Sequence, residues 1–181
     1  MRVVAMSSQK IAAAMQRVEE VLKRRPEVGL HEDAPATARW ERGTRVVSSH
    51  ANGAQLITDI PTELGGSGDQ VTPGWLLRAG LASCFATRIA MEAAAAGIDL
   101  TMLEVVASSR SDTRGILSMA EVSGERVGAG PRDVQLFVKI SAPGVAAERL
   151  QSLVEDCKSC SPVPAALRDA VPVAVRIEVH V

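Results

Sequence analysis

The stretch from Thr72 to Leu100, TPGWLLRAGLASCFATRIAMEAAAAGIDL, constrains the fold of this chain more than any other. It opens on a helix-start signal, Thr72 as N-cap followed by Pro73 at the first helical position, where a missing N–H costs nothing. It closes on Gly97, a residue suited to the left-handed conformation that a helix stop prefers. The residues between are mostly strong helix formers, enough for a rod of roughly 36 Å. Leu76, Leu77, Gly80, Leu81, Cys84, Phe85, Ile89, Met91 and Ala94 leave it apolar or small on almost every side. A helix apolar nearly all round is a buried one. Arg78, Arg88 and Glu92 interrupt it too often for a membrane span. One thiol, Cys84, sits near its middle.

The remainder of the 181 residues is long enough to bury a core around that helix. The expected organisation is an accessory amphipathic helix within residues 1–30 and one main domain over 31–181. A net charge of −1, with 46% hydrophobic and 23% charged residues, describes an ordinary soluble protein and offers no electrostatic case for nucleic acid. Two Trp, two Phe and no Tyr leave few platforms on which bases could stack. MRVVAM is too short an apolar run for a signal peptide, and three cysteines, an odd number, argue for a reducing compartment. The expected location is the cytoplasm, with no membrane or nucleic-acid partner.

Along the chain, residues 7–25 read as an amphipathic helix. Ser7 or Ser8 caps it, Ile11, Met15, Val18, Val21 and Leu22 share one face, and Pro26 ends it. Its apolar face is expected to dock on its own domain or on a second subunit. ATARWER, TRVVSSH and AQLITDI then form an antiparallel meander with a turn at Ala51-Asn52-Gly53. The loop 63–70 lacks the lysine of a phosphate-binding loop and reads as a connector. Beyond the long helix, residues 102–110 and 133–142 read as strands, and 111–132 as irregular with a short strand or a lid. Val145 to about Lys158 reads as a helix, SPVPAAL as a helical turn, and VPVAVRIEVHV as a last strand. The order α-βββ-α-ββ-α-β predicts an α+β fold, a mainly antiparallel sheet packed against long helices.

The run Thr72-Pro73, Leu76-Leu77, Ala79-Gly80, Ala82 and Ser83-Cys84 resembles the Pro…Leu-Leu…Ala…Ala…Cys signature of the OsmC/Ohr family, the osmotically inducible and organic hydroperoxide resistance proteins. Asp59-Ile60-Pro61 and Glu63-Leu64-Gly65-Gly66 before it resemble the same family, as do Ser161-Pro162-Val163, Leu167 and Val171-Pro172-Val173 after it. The resemblance spans residues 36–179 and is nearest to an OsmC-like subgroup. It implies an intertwined homodimer, each long helix buried against its mate and the active sites at the interface. The implied activity is thiol-dependent reduction of organic hydroperoxides, in stress defence, with no cofactor or metal. The helix cysteine attacks, a second cysteine resolves, and a dithiol such as a lipoylated protein reduces the disulfide. Cys84 aligns with the attacking cysteine and Arg42 with the family's arginine.

Two positions depart from the family pattern. Gly74 stands where the reductases carry a glutamate, and Ser161 stands where they carry the second cysteine. Cys160 is one residue earlier, a shift that rotates a helical side chain by roughly 100°. Cys157 and Cys160 also form a CxxC spacing, which a redox pair or half a metal site would use. His31, His50 and His180 show no ligand spacing to complete a metal site.

The chemistry asks for a cation independently of the resemblance. An ordinary thiol is mostly protonated at neutral pH, and Cys84 lies about three turns into its helix, where the dipole gives little help. Arg88, one turn along at i+4, is close enough to matter; the resemblance points instead to Arg42, with Arg45 a second possibility. As the resemblance implies a second cysteine, Cys160 is the candidate for the resolving thiol. The competing expectations are a small buried hydrophobe at Cys84 and a non-catalytic protein that binds a hydrophobic small molecule at a dimer interface.

Overall fold

The computed structural model describes residues 8–180. Helix α1 (Ser8–Arg24) is followed by a 3-10 turn at Pro26–Gly29, then by strands β1 (Thr37–Arg42), β2 (Arg45–Ser49) and β3 (Gln55–Thr58). The long helix α2 (Pro73–Ala95) leads to β4 (Met102–Arg110), a short helix α3 (Thr113–Ile116) and β5 (Arg132–Ser141). Helices α4 (Ala147–Asp156) and α5 (Pro162–Arg168) complete the order. This is the α+β architecture read from the sequence.

α2 starts and stops as its sequence directs. The Thr72 side chain accepts from the Trp75 backbone N–H, Pro73 takes the first position, and Gly97 lies at φ +68°. Its buried stripe is Leu81, Phe85, Ile89 and Ala93, spaced by four. That stripe meets β4, α4 and α5, and α1 packs along another side. The helix is therefore buried on part of its circumference; Trp75, at its start, is 45% exposed.

The strands form two sheets, not one. β1–β2–β3 is an antiparallel meander, and β4–β5 a separate antiparallel pair. In the pair, Leu103 faces Ile140, Val105 faces Val138 and Ala107 faces Leu136, so alternate residues of both strands turn onto α2. The core joins Phe85, Ile89, Ala93, Ile98, Leu150, Leu153 and Cys157, with Leu103, Val105, Leu136, Val138 and Ile140 around them. The meander attaches elsewhere: the Asp59 backbone N–H donates to the Val71 carbonyl at 3.1 Å, and Thr58 bridges Val71.

The final strand is a correction. Residues 171–180 pair with nothing in the described chain, and Val173, Val175, Ile177 and Val179 are 75–88% exposed. Alternation gives those residues an apolar face, but a strand forms only where a sheet edge offers its hydrogen bonds, and no edge among the described residues reaches them. Residues 111–132 hold α3 and a single bridge between Ala120 and Arg126 in place of a lid or a strand. Of the α1 caps, Ser7 lies outside the described residues, and Ser8 donates to the Asp99 carboxylate beyond α2.

Candidate functional site

Cys84 lies where α5 crosses α2. Pro162 opens α5, with Ser161 as N-cap and fully buried. The Cys84 Sγ lies 3.4 Å from the Ser161 Oγ, and the Val163 backbone N–H donates to the same sulfur at 3.5 Å. The thiol is partly buried and free. The residue facing it is thus the serine that occupies the second-cysteine position.

One turn further along α2, Arg88 points to a different sulfur. Its Nε donates to Cys160 Sγ at 3.0 Å, and its Nη2 donates to Glu92 Oε2 at 2.5 Å. Cys84, Arg88 and Glu92 stand at i, i+4 and i+8, one face of the helix. The sulfur of Cys160, and beyond it the charge of Glu92, hold the Arg88 guanidinium protonated above its ordinary value, against a smaller opposing effect of burial. The predicted rotation at the end of α4 is visible: Cys160 meets Arg88 and the Asp156 and Cys157 carbonyls, while Ser161 meets Cys84.

Cys157 is fully buried in the core, and burial pushes its thiol up to about 11 although Arg88 pulls the other way. Such a thiol is neutral and packs as a small hydrophobe. Among the described residues no group of three or more His, Cys, Asp or Glu side chains is placed to hold a metal ion.

Arg42 lies at the end of β1 in the β1–β2 hairpin, exposed, and makes no hydrogen bond to Cys84. Arg45, the second arginine of that hairpin, turns inward instead. It donates to Asp59 at 3.4 Å, to Ser67 at 2.6 Å and to Asp69. The Ser67 and Thr44 hydroxyls, then the Ile60 and Ser67 backbone N–H groups, hold Asp59 well below the usual carboxylate range. The cluster pins the glycine-rich loop to the meander, which explains the loop as a connector.

At Gly74 the helix is open. A Cβ there would meet only Arg78 Nη1 at 3.8 Å and Thr72 Oγ1 at 3.9 Å. Two participants escaped the sequence reading. Ser161 was legible only as a missing cysteine, and Glu92 carried a usable signal, its i+4 spacing from Arg88.

No helix among the described residues is long and apolar enough to cross a membrane. A groove of about 640 Å³ opens beside the site, lined by Leu81, Phe85, Leu136, Val138, Val154 and Leu167 among others.

Known structures share this architecture. An OsmC-like protein from Mycoplasma pneumoniae superposes with a TM-score of 0.62 at 17% identity, over 77% of this chain and 89% of that one. An organic hydroperoxide resistance protein OsmC from Legionella pneumophila gives 0.54 at 22% identity, over 77% and 91%. An organic hydroperoxide resistance protein from Elizabethkingia anophelis, with thiocyanate bound, gives 0.56 at 23%, over 77% and 90%. At these identities the likeness establishes the fold. No curated protein sequence matches the chain. The sequence profile of the OsmC-like proteins matches residues 66–176, which include α2 with Cys84, both strands of the second sheet, and α5. The chain belongs to the OsmC-like protein family.

Proposed function

We propose that this protein is a thiol-dependent peroxidase that reduces organic hydroperoxides, with Cys84 as the attacking thiol. The observation that carries the reading is the seat of that sulfur, held at a helix crossing with the Ser161 hydroxyl and the Val163 N–H against it. Both groups can donate to a thiolate, and charge-assisted hydrogen bonds of this kind stabilise the nucleophilic form. The thiolate sulfur attacks the outer oxygen of the hydroperoxide; the O–O bond breaks, and the alkoxide leaves and takes a proton from water to give the alcohol. Cys84 is left as a sulfenic acid. The Cys160 thiol then displaces the hydroxyl as water to form a disulfide, which a dithiol reduces by two exchanges. To do so the Cys160 sulfur must give up its contact with Arg88 and reach Cys84.

The remaining part of the reading is a homodimer in which Arg42 stabilises the Cys84 thiolate of the second copy. It is supported by the exposed position of Arg42 and by the bare apolar side of residues 171–180. A second copy would cover that side and offer the sheet edge it lacks. Free thiols suit a reducing cytoplasm.

The test is consumption of cumene hydroperoxide with dithiothreitol, comparing wild type with Cys84→Ser, Cys160→Ser and Arg42→Ala. The expected result is turnover above that of the dithiol alone, lost in Cys84→Ser and lowered in the other two. Wild type without turnover would overturn the peroxidase. The apolar groove beside α2 would then favour the second reading, a non-catalytic protein that holds a hydrophobic small molecule.

A further inference from the structure

The attack by Cys84 makes no use of Arg88, which sits against a different thiol. Arg88 is the arginine nearest to Cys84 along α2, yet its guanidinium is committed to Cys160, at 3.0 Å from Nε. Glu92 holds the other end of the guanidinium at 2.5 Å. The carboxylate fixes the fork, and the fork presents an N–H to sulfur. Reactive cysteines are found in electropositive, accessible surroundings, and Cys160 has both. Its position just beyond the C-terminal end of α4 brings two carbonyls to its sulfur, from Asp156 at 3.5 Å and Cys157 at 3.8 Å. Those carbonyls accept from the thiol and disfavour negative charge there, so Arg88 is the group that serves the thiolate. The other thiol of the pair does not compete, since Cys157 is enclosed in the core.

We propose that Cys160, Arg88 and Glu92 form a second thiol site that exchanges with small soluble disulfides. The Cys160 thiolate attacks one sulfur of the disulfide R–S–S–R. A new S–S bond joins Cys160 to one R–S group, the old S–S bond breaks, and the other R–S leaves as a thiolate that takes a proton from water. Cys160 is oxidised, and half of the small disulfide is reduced. Buried Cys157 does not release the adduct, so the mixed disulfide persists until another thiol, Cys84 or an external one, displaces it. This inference goes beyond the peroxidase reading and does not depend on it: no peroxide enters the step.

The experiment treats the fully reduced protein with glutathione disulfide at neutral pH and follows the modified peptides by mass spectrometry. The expected result is that Cys160 is modified first, ahead of Cys84 and Cys157, in wild type and in Cys84→Ser alike. Arg88→Met removes the cation that faces the Cys160 sulfur and is expected to slow its modification by about threefold, Arg88→Lys to restore most of the rate, and Glu92→Gln to slow it less. Modification of Cys84 at an equal or greater rate would overturn the assignment, as would an unchanged Cys160 rate in Arg88→Met. Should Arg88→Met fail to fold, the order of modification in wild type and the Glu92→Gln rate decide by the same criteria.

Discussion

Gly74 stands near the start of α2, and the structure leaves room there for a carboxylate side chain. Gly74 lies exposed in the first turn of α2, and a Cβ would touch nothing closer than 3.8 Å. Gly74→Glu should therefore stabilise the protein. Replacing glycine by a better helix former in a helix is worth about 0.5 kcal/mol or slightly more. A carboxylate in the first turn adds about 0.5 kcal/mol through the helix dipole. A Glu four residues before Arg78 adds about 0.3 kcal/mol, partly offset because Arg78 leaves the 3.4 Å contact with Ser109. The sum is about 1 kcal/mol, which raises the melting temperature of a chain this long by about 2–4 °C. Scanning calorimetry and urea titration of wild type and Gly74→Glu would measure it, with the midpoint shifted and the m-value unchanged. A melting temperature equal to or below that of wild type would refute the reasoning, because it would mean that the first turn of α2 is not free to take a side chain.

Other predictions bear on the remaining parts of the account. At Gly66 the space is absent: a Cβ would lie 1.9 Å from the Ile60 carbonyl oxygen, so the loop must move and loosen the bonds from Gly66 N–H to Pro61 and from Gly68 N–H to Ile60. Gly66→Ala should cost about 2–3 kcal/mol in urea unfolding, whereas a cost near zero would show that the loop is not closed on Ile60. The carboxyls of Asp59 and Asp69 are held below their ordinary value of 3.8, so the stability they contribute is present above that pH and is lost as pH falls towards the depressed values of the folded state. The plot of stability against pH below about 4 should be shallower for Asp59→Asn than for wild type, and equal slopes would contradict the pinning cluster. Cys157, with its thiol raised to about 11 by burial, should resist iodoacetamide at pH 8 until the protein unfolds; alkylation in the native state would remove it from the core.

The parts of the fold that were legible in the sequence are those governed by local chemistry. Thr72, Pro73 and Gly97 carry their own start and stop signals, and the Asn52-Gly53 turn and the alternation of Leu136, Val138 and Ile140 are likewise local. The last strand was not legible, because Val173 to Val179 show which face is apolar but not what will pair with it. The site divides in the same way. Cys84 was visible as the one thiol of the long helix, and Arg88 as its neighbour at i+4. Which sulfur Arg88 would approach depends on how the chain turns between α4 and α5, where one residue decides whether Cys160 or Ser161 faces α2. The role of Arg45 was hidden for a similar reason, since Asp59, Ser67 and Asp69 reach it from a loop distant in sequence.

The central claim is that Cys84 is oxidised by a hydroperoxide. The most direct measurement treats the Cys160→Ser protein with one equivalent of cumene hydroperoxide in the presence of dimedone, and locates the adduct by peptide mass spectrometry. The account predicts a sulfenic acid trapped at Cys84, formed in proportion to the peroxide consumed. An adduct at Cys157, or peroxide consumed by neither thiol, would contradict it.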